Sequence, residues 1–297
     1  MQLRRIKQTL SNGQTISGLR TDTRDLPLVV FLHGNGLAAG VYMPMLELIA
    51  PHYDLLMFDI PGHGESDPAG PDVGWNETAD LVWQAMQQTG LTRDRDVYGV
   101  AHSLGGAFSL LSSHRHPGVF KSLVLLDPII FPRRLLLFMR VISFLRLTAR
   151  FHPHVSSTLR RRRHWPDRQA AYEYFHGRKI YRDWTDAAVK SYIDYALKDE
   201  SEGGVALCCT PETEARYFAS LPRGMWDALK NINIETKIVM GESSYPFSYK
   251  AAITAQTKNN YIRCTTVPGT HCFMQEYPEA AATLVLSVLA EPQESGC

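Results

Sequence analysis

No long hydrophobic run interrupts this chain of 297 residues. A membrane-spanning helix needs roughly twenty consecutive apolar residues, and no uninterrupted stretch here comes near that length. Excess charge is missing too: 31 Lys and Arg stand against 30 Asp and Glu. A near-neutral chain has no bulk attraction for nucleic acid, so no nucleic-acid partner is expected. Cysteine is sparse and odd in number, at 5. That count favours reduced thiols over a disulfide framework. Cys208 and Cys209 are adjacent, not spaced like zinc ligands, and no metal is expected. The opening Met1-Gln2-Leu3-Arg4-Arg5 has no apolar stretch behind it, which argues against a secretory signal. A cytoplasmic location is the default expectation.

What is present is the composition of a globular domain, with 44% hydrophobic and 21% charged residues. Residues 3–20 alternate weakly around Asn12-Gly13, which predicts a leading hairpin. Short apolar runs follow at 28–32, 54–58, 97–100, 123–126, 237–240 and from Tyr261 to Val267. Between them, residues 41–50, 76–89, 105–115 and 278–289 carry helical spacing. Strands buried on both faces that alternate with helices predict a parallel sheet in an α/β fold. Residues 129–230 break the pattern: they are amphipathic, rich in Arg and aromatics, and show no clear strand run. The expected organisation is a core domain from 1–128 and 236–297, with a helical cap at 129–235.

Four motifs carry chemistry. Ala101-His102-Ser103-Leu104-Gly105-Gly106 joins a strand run to a helical run. A serine on such a turn is the nucleophile elbow, whose crowded backbone needs small residues two before and two after. Phe31-Leu32-His33-Gly34-Asn35-Gly36 ends the first core strand. Its glycines let the backbone turn and aim an amide inward, so the Asn35 and Leu104 amides are the candidate oxyanion hole. Asp59 through Ser66 ends the next strand, and Asp59 and His63 read there as ties for a loop. Pro268-Gly269-Thr270-His271 follows the last strand, which suits His271 as a general base. His102 is expected to pack behind the elbow and His33 to be a satisfied structural group. Solvated or capping roles suit His114, His116, His152, His154, His164 and His176.

In this order the motifs resemble the α/β-hydrolase superfamily. The resemblance implies a mostly parallel eight-stranded sheet flanked by helices, with a helical cap inserted. It also implies a Ser103–His271–acid triad and no cofactor. The family usually keeps the acid three residues beyond a Gly after the strand at 238–240, where this chain has Ser244. Some haloalkane dehalogenases place it after the preceding strand, where this chain has Asp127. Asp127 is the expected acid and Glu242 the alternative. A serine in place of the dehalogenase carboxylate nucleophile indicates acyl chemistry.

The expected activity is that of a carboxylic ester hydrolase acting on an ester, thioester or lactone of a small apolar molecule. Carbon–carbon hydrolysis of a diketone and a non-catalytic ligand-binding role are the alternatives. Residues 129–147 predict an amphipathic lid helix over an acyl pocket, in preference to a helix resting on a membrane surface. Arg160 to Arg163 is read first as a solvated face and second as a contact for an anionic group. The aromatics Phe131, Trp165, Tyr174, Phe175, Tyr181, Trp184, Tyr245, Phe247 and Phe273 are read as lid core before pocket lining. Monomer and homodimer both remain open.

Overall fold

The computed structural model describes residues 2–70, 74–144 and 153–290. β1 (Leu3–Thr9) and β2 (Thr15–Thr21) form the leading hairpin, paired from Leu3 with Thr21 to Thr9 with Thr15. β2 then pairs antiparallel with β4 (Asp54–Phe58). β4, β3 (Leu28–Leu32), β5 (Val97–His102) and β6 (Ser122–Leu126) pair in parallel. Beyond a long inserted segment, β10 (Glu235–Gly241) and β11 (Ile262–Val267) continue the parallel sheet. The order is β1-β2-β4-β3-β5-β6-β10-β11, eight strands in all. The hairpin edge is its antiparallel part.

Side chains alternate across each strand, and here both faces are covered. Val29 and Phe31 face one apolar core, whereas Leu28, Val30 and Leu32 face another. The first core contains residues of α1 (Met43–Ile49) and of the final helix, Pro278–Ala290. The second contains residues of α2 (Trp75–Gln88) and α3 (Leu104–Arg115). Burial on both faces explains why these strands read as continuous apolar runs.

The segment between β6 and β10 contains α4 (Arg133–Phe144), α5 (Pro153–Thr158), α6 (Arg168–Phe175), α7 (Asp186–Tyr195), α8 (Pro211–Ala219) and α9 (Met225–Asn231). It also holds a small antiparallel sheet that the sequence reading missed. Its strands are β7 (His164–Trp165), β8 (Leu197–Asp199) and β9 (Val205–Leu207), in the order β7-β9-β8. Strands of two or three residues are too short for a period of two to register. After β10 come α10 (Pro246–Gln256), α11 (Phe273–Glu276) and α12, the final helix already described. The expected helix at 41–50 is a 3₁₀ turn, Ala39–Tyr42, followed by α1. The expected lid helix at 129–147 is α4; residues 145–147 and His152 lie outside the described residues.

Candidate active site

Five parallel strand ends supply the site. β5 runs through His102, and Ser103 then turns the chain into α3 with φ of 53°. That left-handed conformation is strained for a residue with a side chain, and the packing around it leaves little alternative. The Ser103 amide donates to the Leu126 carbonyl at 3.0 Å. A Cβ on Gly105 would stand 2.5 Å from the Leu32 carbonyl oxygen, so only glycine lets α3 approach β3 this closely.

His271 follows β11, and its Nε2 lies 2.9 Å from the Ser103 Oγ. Its Nδ1 lies 2.9 Å from the Asp127 Oδ1. An ionised carboxylate only accepts, so Nδ1 carries the hydrogen and Nε2 is free to take the serine proton. Asp127 follows β6, is 0% exposed, and also has a positive φ of 45°. Its carboxylate accepts from the Gly241 amide at 2.7 Å and from the Ser244 hydroxyl at 2.5 Å. Its own amide donates to the Val239 carbonyl at 2.6 Å. Three anchors, Val239 and Gly241 on neighbouring β10 and Ser244 just after it, therefore fix Asp127 in place. Ser244, standing where the family resemblance would put the acid, donates to Asp127 instead. Glu242 is exposed, and its amide pairs with the Val267 carbonyl. Among the described residues its carboxylate has no hydrogen bond to His271.

A second layer of histidines lies behind. His102 is buried, and its Nε2–H donates to the main-chain carbonyl of His271 at 2.9 Å. Burial, and then the neighbouring His271, push its pKa well below the usual imidazole value. The ring is therefore neutral, and its bare Nδ1 accepts from the Tyr42 hydroxyl at 2.6 Å. The Tyr42 oxygen in turn accepts from the Gly34 amide at 3.1 Å. This chain links the loop after β3 to the backbone of His271, and no sequence signal had pointed to Tyr42.

His33 donates from Nδ1 to the Gly34 carbonyl at 2.8 Å and accepts from the Ile60 amide at 3.0 Å. Burial lowers its pKa to about 4, against the pull of the Gly34 carbonyl. His63 accepts from the Gly36 amide at 2.9 Å. Asp59 accepts from the Ala39 amide at 2.8 Å and the Glu65 amide at 3.1 Å. Burial pushes its pKa up to about 7, although the Ala39 amide pulls it down. These groups hold loops.

Asn35 sits between the β3 loop and the insertion. Its side-chain amide donates to the Glu214 carbonyl of α8 at 3.0 Å. Leu104 is the first residue of α3, where main-chain N–H groups are free of helical partners. Both residues line a cavity of about 720 Å³ together with Ser103 and His271. The insertion supplies much of the rest: Phe131, Leu135 and Met139 on one side, Arg160, Arg161 and Arg178 on another.

Six of the nine aromatics named above line this cavity: Phe131, Tyr174, Phe175, Tyr181, Tyr245 and Phe247. Trp165, Trp184 and Phe273 are core. His154 is exposed, as expected for a solvated role, but it does more. Its ring lies against Phe218 and Tyr245, and it lines the cavity. His116 stacks on Trp83, while His164 pairs with Glu200 and His176 with Asp186. Among the described residues no helix is long and apolar enough to cross a membrane.

Similarity to known proteins follows the same outline. Pimeloyl-(acyl-carrier protein) methyl ester esterase of Xanthomonas campestris pv. campestris (strain B100) is 34% identical over 93 residues, which are 31% of this chain and 34% of that protein. (E)-2-((N-methylformamido)methylene)succinate hydrolase of Acinetobacter baylyi is 27% identical over 118 residues, 40% of this chain and 43% of that protein. Each match thus spans less than half of the relative's length. The crystal structure of E-2-(acetamidomethylene)succinate hydrolase superposes with a TM-score of 0.77 at 19% identity, covering 98% of this chain and 100% of that one. That likeness is one of fold. A family model described as "Alpha/beta hydrolase family" matches residues 29–284, a span that runs from β3 through the elbow to His271, and the chain belongs to that family.

Proposed function

We propose that this protein is a serine hydrolase that cleaves a carboxylic ester, thioester or lactone of a small, largely apolar molecule. The observation that carries the reading is the continuous hydrogen-bonded line from Ser103 to His271 to buried Asp127, opening into a cavity with apolar walls. In this reading residues 1–128 and 236–297 are the catalytic core domain, and 129–235 are a helical cap that shapes the substrate pocket.

The reaction runs in two halves. His271 Nε2 takes the Ser103 proton as Oγ attacks the carbonyl carbon, and the Asp127 carboxylate stabilises the resulting imidazolium. The Asn35 and Leu104 amides receive the oxyanion, and losing one such donor typically costs roughly 3–4 kcal/mol. The C–O or C–S bond breaks, and His271 protonates the departing alcohol or thiol. Water, deprotonated by His271, then attacks the acyl-enzyme, releasing the acid and restoring Ser103. The position of Ser103 at the head of α3 supports this reading, because the helix dipole favours negative charge there. The esterase name carried by a relative supports ester chemistry in particular.

The test is turnover of a panel of nitrophenyl esters graded in acyl length. Native protein is expected to hydrolyse the panel with an optimum at one length, and Ser103→Ala protein to lack that activity. Equal turnover by the two proteins would sink the proposal.

A further inference from the structure

The cavity is lined by two unlike sets of residues. Part of its wall is apolar, with Ile129, Phe131, Leu135, Met139, Leu221 and Phe247. Another part of its lining is cationic: Arg160, Arg161, Arg162, Arg178 and Lys179, with Glu214 as the one carboxylate among the lining residues. Arg161 and Glu214 form an ion pair, and the Arg161 guanidinium also reaches the hydroxyls of Tyr181 and Tyr192, each at 3.3 Å. That carboxylate lies against the loop after β3, since a Cβ on Gly36 would come within 2.9 Å of it.

With Glu214 committed to Arg161, the other four cations have no ion-pair partner among the described residues. Arg162 and Arg178 both lie over the ring of Tyr174, at 5.4 and 4.3 Å from its centre. Two guanidinium groups gathered on one ring repel each other. An anion placed between them would turn that repulsion into attraction through charge-assisted hydrogen bonds. Their neighbour Arg163 behaves differently, since it does not line the cavity and pairs with Glu212 at 2.9 Å. The run Arg160 to Arg163 is therefore not a uniform solvated face.

We infer that this cationic part of the lining, centred on Arg162 and Arg178, is a subsite for a carboxylate or phosphate group carried by the substrate in addition to the scissile carbonyl. The inference rests on the hydrolase reading and narrows its substrate class to an acyl compound with one charged end. The four cations are exposed, so solvent and salt screen them, and the expected preference is moderate, roughly tenfold.

Two measurements test it. The first compares kcat/KM for nitrophenyl esters of equal chain length ending in methyl, carboxylate or phosphate. The expected result is a roughly tenfold preference for a charged end that shrinks as salt is raised; the two charged arms show which anion the subsite favours. In the Arg162→Gln/Arg178→Gln double variant the ratio of charged to neutral substrate is expected to fall towards one. Arg178→Lys, which keeps the charge, is expected to retain most of it. The second measurement is independent of turnover: Ser103→Ala protein is titrated with octyl phosphate, octanoate and octanol. The anionic ligands are expected to bind more tightly than octanol, and the double variant to lose that difference. Equal binding of all three, or a preference that survives in the double variant, overturns the subsite. Absence of ester turnover together with selective anion binding would instead sink the hydrolase reading and leave the subsite standing.

Discussion

The two halves of the cavity are built in opposite ways. On the sheet side, each member of the proposed triad is tied by hydrogen bonds to a neighbouring strand or loop. Asp127 is held by Gly241 and Ser244, Ser103 by Leu126, and His271 by His102. On the insertion side, large apolar groups stand in solvent: Leu137 is 65% exposed, Phe138 59% and Ile180 57%. Of the cations in the cavity lining, Arg160, Arg162, Arg178 and Lys179 have no ion-pair partner among the described residues. A rigid sheet edge fixes the chemistry, whereas the insertion presents an under-satisfied surface that a ligand can complete. Under the proposed function, the contrast assigns reaction type and substrate choice to separate parts of this chain.

The largest effect that would break the comparison lies on the sheet side. Asp127→Asn leaves the carboxamide in place but upsets the histidine tautomer, and a loss of about 10⁴ in kcat is expected. Glu242→Gln should stay close to native, since its side chain is exposed. Ester turnover rates of the two variants decide, and loss confined to the Glu242 variant would overturn the assignment.

Acid should destabilise the fold through the buried histidines of the sheet side. His33, His63 and His102 are buried with pKa values pushed below the ordinary 6.5, His33 to about 4. Where a folded histidine has the lower pKa, the unfolded chain binds more protons, and stability falls as pH drops from about 6.5 towards 4. Asp59, raised to about 7, works the other way: the folded state holds its proton, and stability falls as pH rises from about 4 to 7. Glu214, raised by burial, acts as Asp59 does; three histidines oppose these two carboxyls, so net loss in acid is expected. Denaturant midpoints measured across that range check the sign; a flat or inverted profile contradicts it.

Ser244→Ala removes a hydrogen bond to a buried carboxylate, worth about 1.5–3 kcal/mol. A fall in kcat of about tenfold or more is expected, with Thr restoring part of it. Tyr42→Phe leaves the Gly34 amide and His102 without their shared partner. Unpaired buried groups cost about 1–3 kcal/mol each, and the lowered midpoint is read by thermal unfolding. The smallest effect belongs to the insertion: Phe138→Ser should change stability by less than about 0.5 kcal/mol while shifting the preferred acyl length. A large stability loss there would show that the exposed face is structural after all.

Much of the sheet was legible because its strands are buried on both faces and so read as continuous apolar runs. Ser103 and His271 were legible because each follows a strand run at a turn with small residues, whereas Asp127 was legible only through the family resemblance, with Ser244 at the usual place of the acid. The remaining features depend on contacts between distant segments. Tyr42 is an ordinary buried aromatic in sequence, and only the fold brings its hydroxyl between His102 and Gly34. β7, β8 and β9 were hidden by their length. Arg160 to Arg163 reads as one charge run, yet tertiary packing sends Arg161 to Glu214, Arg163 to Glu212, and Arg162 to Tyr174.

The most direct measurement on the central claim is labelling with a fluorophosphonate probe, mapped by peptide mass. The account predicts one adduct, on Ser103, formed rapidly by native protein and slowed severely in His271→Ala protein. Labelling at another residue, or labelling of Ser103 that is indifferent to loss of His271, would contradict it.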